Sequence, residues 1–137
     1  MMMKRLGLAV VLGVFLISCA NNAQQNNVEQ QMSAAPVIGN LNVEQFGELI
    51  KDTTVVLLDV RTPQEFAQGC IEGALNIDVK DSLFIHNVQA AIPAGAKVAV
   101  YCRSGRRSMA AAEQMLEKGY VPVNLDGGIL AWQEAAK

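Results

Sequence analysis

Short apolar runs alternate with segments of helical periodicity from residue 37 to the end of the chain. Aliphatic and β-branched runs, which suit parallel strands buried on both faces, occur at 37–38, 54–60, 74–77, 97–101 and 122–125. Apolar residues at helical spacing predict helices over 42–51, 62–69, 82–92, 106–118 and 129–136. Five strands that alternate with five helices predict one α/β domain with a parallel sheet over residues 37–137.

Two of these helices carry strong start signals. Asn42 with Gln45 three residues later forms a capping-box pattern, in which each side chain bonds the other residue's backbone N–H. Thr62, Pro63 and Glu65 suit the N-cap, first and third positions of a helix. Helix capping is therefore a sufficient explanation for Glu65 at this stage.

The amino-terminal segment has the pattern of a signal peptide. A positive stretch at 1–5 precedes the apolar run 6–17, which is shorter than the roughly 20 residues that span a bilayer. The run ends in Leu16-Ile17-Ser18-Cys19, which resembles the lipobox of bacterial lipoproteins. That resemblance implies cleavage after residue 18, lipidation of Cys19 and a location in the cell envelope facing the periplasm. An ordinary signal peptide with a chance cysteine is the alternative.

The segment that follows, residues 19–36, is rich in Asn and Gln and almost free of large apolar residues. Such a composition cannot bury enough surface to offset the entropy of ordering. We therefore expect a flexible tether between a lipid anchor and the domain, with the anchor as the only membrane contact. Ala20 after the lipidation site, rather than Asp, resembles an outer-membrane sorting signal.

Composition and charge exclude several classes of function. Hydrophobic residues make up 51% of the chain, which is enough for a core, and the formal net charge is −2. Loss of Lys4 and Arg5 with the leader would take the charge to −4. The chain lacks a basic face with interleaved aromatic residues, so nothing indicates a nucleic-acid partner. The single histidine, His86, has no companion ligand that would suggest a metal site. Nothing indicates a cofactor.

The apolar run 97–101 stops at Cys102, and a basic loop and a helix follow. Loop N–H groups and the positive end of a helix both favour an anion, so the thiol of Cys102 should have a lowered pKa. The candidate loop residues are Arg103, Ser104, Gly105, Arg106, Arg107 and Ser108. The alternatives are that Cys102 is a small buried hydrophobe and that the arginines form a solvated helix start. Cations at a helix start oppose the helix dipole, which favours an anionic partner.

The segments around this loop carry a family resemblance. They are Leu58-Asp59-Val60-Arg61, Glu65-Phe66, Gly69-x-Ile71-x-Gly73-Ala74-x-Asn76-Ile77, Tyr101-Cys102 through Ser108, and Leu125-Asp126-Gly127-Gly128-x-x-Ala131-Trp132. Together, in this order and spacing, they resemble a single rhodanese-like (sulfurtransferase) domain. The resemblance implies a three-layer α/β/α fold with a five-stranded parallel sheet of order 3-2-4-5-1. Such an order has a switch point between strands two and four, where ligands bind.

The resemblance also implies a reaction. The Cys102 thiolate would take sulfur from a small anionic donor such as thiosulfate, and the resulting persulfide would pass it to cyanide or a thiol, possibly one on a protein. Arg103 and Arg106 would attract the donor, and Arg107, which closes the family's C-x4-R pattern, would hold the loop. Asp59 and Arg61 would brace the loop electrostatically.

Loop length and residue 70 bear on the alternatives. The six-residue loop from Cys102 to Arg107 resembles that of sulfurtransferases, whereas the related phosphatases use one residue more. The alternative function of a non-enzymatic sulfur carrier or protein-binding module remains open.

Cys70 stands where the family usually has His, ahead of the third strand. We therefore expect it at the amino edge of the sheet, roughly 15 Å from the level of Cys102 and too far for a disulfide.

Overall fold

A computed structural model describes residues 35–137. The predicted signal peptide 1–18, the lipidation site Cys19 and most of the tether 19–36 lie outside the described residues. No helix within the described range is both long and apolar enough to cross a membrane.

Strands and helices alternate in the order that the apolar pattern predicts. The strands are β1 (Gly39–Leu41), β2 (Val56–Asp59), β3 (Leu75–Asn76), β4 (Lys97–Tyr101) and β5 (Val121–Leu125). The helices are α1 (Val43–Leu49), α2 (Pro63–Ala67), α3 (Phe84–Ala91), α4 (Arg106–Glu117) and α5 (Gly128–Ala135). Both predicted capping boxes are present, at Asn42 with Gln45 and at Thr62 with Glu65.

The five strands form one sheet in the order β1-β5-β4-β2-β3, with every neighbouring pair parallel. This is the expected order 3-2-4-5-1 read from the other edge, so the predicted fold class is confirmed. Strand β4 lies at the centre of the sheet and β2 beside it, with Asp59 opposite Tyr101. The carboxyl ends of these two strands therefore meet at the switch point, where Cys102 follows β4.

Side chains of the central strand alternate between two buried cores, which is why residues 98–101 are all apolar. Val98 and Val100 pack with residues of α3 and α4, and Cys102 belongs to the same cluster. Ala99 and Tyr101 pack on the other face with residues of α1 and α5. The sheet is thus covered on both faces, and the register of β4 points Cys102 toward α4.

The first strand differs from the prediction. It runs from Gly39 to Leu41 instead of over Val37 and Ile38, and Val37 is 81% exposed. Strand β1 is an edge strand whose place is set by pairing with β5, from Gly39 opposite Val123 onward. Apolar character alone therefore marks the wrong residues, because pairing with a neighbour decides where an edge strand begins.

Candidate active site

The loop after β4 folds tightly around the sulfur of Cys102. Gly105 has a φ of +96° and is the N-cap of α4, a backbone conformation that glycine adopts without strain. A Cβ at this position would lie 3.3 Å from the carbonyl oxygen of Leu125. The glycine thus allows both the turn and the close approach of the loop to the end of β5.

Hydrogen bonds converge on the Cys102 thiol, which lies at the amino end of the 12-residue helix α4. The Gly105 N–H donates to Sγ at 3.1 Å, and Ser108 Oγ lies 3.3 Å from Sγ. Burial of the thiol raises its pKa and is the largest single influence, but hydrogen bonds from Ser108, Ser104 and Gly105 outweigh it. The pKa of Cys102 therefore lies below its ordinary value, as the sequence predicts.

The start of α5 holds the loop from the other side. The N–H groups of Ile129 and Leu130 donate to the carbonyl oxygens of Cys102 and Arg103 at 2.9 and 3.2 Å. Gly128 has a φ of +60°, and a Cβ there would lie 2.6 Å from the Cys102 carbonyl oxygen. Only glycine fits this contact. Sequence reasoning missed this role, for which the Gly127-Gly128 pair was the available signal.

The three arginines of the loop have different surroundings. Arg107 makes a bidentate pair with Glu65, at 2.8 and 2.7 Å, instead of contacting the loop. Among residues 35–137, the exposed side chains of Arg103 and Arg106 have no hydrogen-bond or ion-pair partner. Arg107 therefore ties α2 to the first turn of α4, while Arg103 and Arg106 are available to an anion.

Glu65 does more than cap a helix. Its carboxylate accepts from Thr62 N–H and from both terminal nitrogens of Arg107. The hydrogen bond from Arg107 is the largest influence, and it lowers the pKa of Glu65 from 4.5 to about 2. Capping alone was therefore an incomplete explanation of Glu65.

Asp59 and Arg61 form a buried ion pair beside the loop. Arg61 Nη2 lies 2.6 Å from Asp59 Oδ2 and also donates to the Gly69 carbonyl oxygen at 2.7 Å. The guanidinium carbon is 5.8 Å from the ring centroid of Tyr101, whose hydroxyl accepts from Ile71 N–H. Within the described range, neither side chain of the pair hydrogen-bonds to residues 102–108. The pair holds Gly69 in place, and its predicted electrostatic effect on the loop stays a prediction.

A cavity of about 200 Å³ lies beside the loop. Three segments line it. The first runs from the end of β2 through helix α2 to the turn after it, the second is the residue after Cys102, and the third is helix α5. They are Arg61, Glu65, Gln68, Gly69, Arg103, Ile129, Leu130 and Gln133. Cys102 is 1% exposed and is not among them. Arg103 is therefore the loop residue that links the cavity to the thiol.

The structure corrects the predicted position of Cys70. Its neighbours Gly69 and Ile71 bond to Arg61 and Tyr101, which lie at the carboxyl ends of β2 and β4. Cys70 therefore lies on the carboxyl side of the sheet and not at the predicted amino edge, because the connection between α2 and β3 folds back along the cavity. The sulfur of Cys70 is exposed and that of Cys102 is buried, and both thiols are free.

A buried polar chain runs from Cys102 to the edge of the sheet. Ser108 Oγ donates to Asn124 Oδ1 at 2.6 Å, and Asn124 Nδ2 donates to Asn40 Oδ1 at 2.9 Å. Asn124 is 2% exposed and lies in β5. Sequence reasoning missed Asn124 and Asn40, although an asparagine inside an otherwise apolar strand was a readable signal.

No group of three or more His, Cys, Asp or Glu residues within 35–137 is arranged to hold a metal ion. Within the described part of the chain, the site offers a thiol with converging N–H groups, two guanidinium groups that have no ion-pair partner there, and a small polar cavity. Such an arrangement can stabilise an anionic sulfur and attract an anionic reactant.

Comparison with known proteins agrees with this geometry. The family model described as "Rhodanese-like domain" matches residues 42–135. A protein of Allochromatium vinosum named "Sulfurtransferase" is 39% identical over 98 residues, which cover 70% of this chain and 89% of that protein.

Solved structures show the same likeness. The crystal structure of a rhodanese-related protein from Thermoplasma volcanium has a TM-score of 0.62 and 32% identity, covering 71% of this chain and 92% of that one. A rhodanese-like domain protein from Staphylococcus aureus has a TM-score of 0.60 and 26% identity, covering 69% and 91%. The chain therefore belongs to the rhodanese-like domain family.

Proposed function

We propose that this protein is a thiosulfate-type sulfurtransferase in which Cys102 carries the sulfur as a persulfide. The observation that carries the proposal is the thiol of Cys102, placed at the amino end of α4 with N–H groups converging on it and a lowered pKa. The sulfurtransferase name of the Allochromatium vinosum relative supports the same reaction class.

In the loading step, the Cys102 thiolate attacks the outer sulfur of thiosulfate. The new S–S bond forms as the bond between the two sulfurs of the donor breaks, and sulfite leaves with the electron pair. The enzyme then carries a persulfide anion, so one negative charge remains at the loop throughout. The preorganised N–H groups stabilise that charge without reorganising.

In the discharge step, a nucleophile such as cyanide attacks the outer sulfur. Thiocyanate forms, the S–S bond breaks, and its electron pair returns to Cys102 as thiolate. An S–S bond is about 2.05 Å long, so the persulfide moves the reactive atom outward from the nearly buried position of Sγ. A thiol acceptor, including one on a protein, therefore has easier access to the loaded enzyme than to the thiol itself.

The cavity suits a small anionic donor. Arg103 lines it with no hydrogen-bond or ion-pair partner among residues 35–137, and Arg61 lines it with its charge balanced by Asp59. The side-chain amides of Gln68 and Gln133 supply further hydrogen-bond donors. The structure therefore supports a role of Arg103 in holding the sulfonate end of a donor while its outer sulfur approaches the loop.

A thiosulfate:cyanide assay with wild type and Cys102→Ser tests the proposal. We expect thiocyanate formation by wild type, none by Cys102→Ser, and a mass increase of one sulfur atom on Cys102 after incubation with thiosulfate alone. Cys70→Ser serves as the matched control and should retain activity. Absence of both turnover and added sulfur in wild type would refute the proposal.

The same experiment separates the alternatives. Sulfur that loads onto Cys102 but does not pass to cyanide or small thiols would identify a sulfur carrier in place of an enzyme. Hydrolysis of an aryl phosphate that depends on Cys102 would indicate phosphatase chemistry, which the six-residue loop disfavours.

We also propose that the protein is attached to the bacterial cell envelope through lipidated Cys19 and faces the periplasm. The proposal rests on the lipobox-like end of the apolar run at residues 16–19. Intact-mass analysis of the membrane fraction should show a chain that begins at Cys19 and carries a lipid, and Cys19→Ala should abolish that species. An unmodified mature chain in the wild type would contradict the proposal.

A further inference from the structure

The hydroxyl of Ser108 has two hydrogen-bond partners but only one proton. It lies 3.3 Å from Cys102 Sγ and 2.6 Å from Asn124 Oδ1. A serine hydroxyl donates once and can accept at its lone pairs. Ser108 can therefore donate to the sulfur or to the amide oxygen, but not to both at once.

The amide of Asn124 is oriented by a hydrogen bond to Asn40. Its Nδ2 donates to Asn40 Oδ1 at 2.9 Å, and this directs Oδ1 toward Ser108. The same side chain lies beneath the loop, 3.6 Å from where a Cβ of Gly105 would be. Both Asn124 and Ser108 are buried, with 2% and 0% exposure, so water does not readily replace a lost partner.

The two protonation states of Cys102 use this chain differently. In the thiol state, S–H donates to Ser108 Oγ while Ser108 donates to Asn124, and every group has a partner. In the thiolate state, Ser108 can donate to the sulfur only by turning its proton away from Asn124, which leaves Asn124 Oδ1 without a donor. A buried acceptor without a partner is unfavourable, so the amide opposes the thiolate.

We propose that Asn124 is a positioning residue that, held by Asn40, directs the proton of the Ser108 hydroxyl away from the sulfur of Cys102. It thereby limits how far the loop N–H groups stabilise the thiolate. Removal of Oδ1 frees the Ser108 proton for the sulfur and increases the thiolate fraction at a given pH.

This restraint matters for both halves of the proposed reaction, on which the kinetic part of the inference rests. Cys102 is the nucleophile when sulfur is loaded and the leaving group when sulfur is discharged. A thiol of lower pKa is a weaker nucleophile as thiolate but a better leaving group. Asn124 therefore balances loading against discharge instead of maximising either.

Other charged groups around the loop form a constant background for this effect. Strand β5 and the first turn of α5 contain no charged residue. The groups that other parts of the chain contribute are Arg103 and Arg106 near the loop, Arg107 on α4 with Glu65 on α2, and the Asp59–Arg61 pair at the end of β2. Asp126 lies exposed in the turn between β5 and α5, and Asp78 acts electrostatically on Arg107. None of them contacts Asn124 through a hydrogen bond in the described part of the chain.

The test measures the pH dependence of Cys102 alkylation in the full chain, followed by peptide mass so that Cys19 and Cys70 do not interfere. Asn124→Leu has a similar volume and no acceptor. We expect it to lower the alkylation midpoint by roughly 0.5 to 1 pH unit, the size expected for one hydrogen bond. Asn124→Asp keeps an acceptor and adds charge, and it should raise the midpoint.

The Ser108→Ala background shows whether the amide acts through the hydroxyl. In that background, Asn124→Leu should cause no further change, because no proton remains to be redirected. Tyr120→Phe, which removes a buried hydrogen bond to the Ile92 carbonyl at a distant position, should leave the midpoint unchanged.

Two outcomes overturn the inference. One is an unchanged midpoint in Asn124→Leu, or in Asn124→Asp if the leucine variant does not fold. The other is an equal shift with and without Ser108. Because alkylation needs no sulfur donor, this result stands whether or not Cys102 loads sulfur. If it does load, Asn124→Leu should discharge sulfur faster and load it more slowly per thiolate.

Discussion

The Glu65–Arg107 pair gives a pH-dependent contribution to stability that can be measured directly. The carboxylate has a pKa lowered from 4.5 to about 2, mainly by the hydrogen bond from Arg107. A pKa that is lower in the folded state favours folding above the unfolded value, and this contribution disappears as the pH falls through the folded value. The pair should therefore stabilise the protein above about pH 4.5 and lose its effect toward pH 2.

The magnitude follows from the pKa and the exposure of the pair. Each pH unit by which a pKa falls corresponds to about 1.4 kcal/mol, so a fall to about 2 sets an upper limit of about 3 kcal/mol. Side-chain exposures of 25% for Arg107 and 29% for Glu65 allow water to screen the charges. We therefore expect about 1 to 2 kcal/mol.

Urea unfolding of wild type and Glu65→Gln between pH 7 and pH 2.5 tests this reasoning. Glutamine keeps an acceptor for the capping box but removes the charge. The variant should be less stable by about 1 to 2 kcal/mol at pH 7, and the two proteins should converge as the pH falls. Glu48→Gln is the matched control, because its ion pair with Lys51 is largely exposed and should contribute little. A difference that is constant with pH, or equal to that of the control, would refute the reasoning.

Three further predictions concern the loop. Gly128→Ala should lower the thermal midpoint of unfolding clearly more than Gly119→Ala. Both positions have a positive φ, but only a Cβ at residue 128 would press against the carbonyl groups of Cys102 and Arg103. Equal shifts of the midpoint would argue against the contact. Arg103→Gln should raise KM for thiosulfate about tenfold, or about 1.4 kcal/mol, and Arg106→Gln should raise it less, because of these two arginines Arg103 lines the cavity and Arg106 does not; steady-state kinetics that rank them in reverse would contradict this. Added salt should raise KM for thiosulfate by screening the exposed arginines but leave the Cys102 alkylation midpoint nearly unchanged, and a parallel shift of both would show that charges set the midpoint.

The sequence predicted the centre of the fold well because the signals there are local. Strand β4 has both faces buried, so its apolar run has the same bounds in sequence and structure. The capping boxes at Asn42 and Thr62 are likewise visible within four residues. The order of the strands came from the family resemblance, since alternating strands and helices do not determine it.

Features that depend on distant residues were missed or misplaced. Glu65 and Arg107 are 42 positions apart, and no periodicity in α2 or α4 reveals that the two side chains meet. Cys70 was misplaced because a strand-edge rule applies to residues next to a strand, whereas the chain before β3 is drawn toward Arg61 and Tyr101.

The lowered pKa of Cys102 has the kind of cause that the sequence predicted. The expectation was a loop and a helix end that favour an anion, and the influences that lower the pKa are hydrogen bonds from Ser108, Ser104 and Gly105. Arg107 is paired with Glu65, and Arg103 and Arg106 are exposed, where water screens their charge. Of these donors, the backbone N–H groups are fixed in place, so they can act on the thiolate and on the proposed persulfide without a counterion that moves between steps. The arginines are then free to attract a donor, so that activation of the thiol and capture of the substrate depend on different groups.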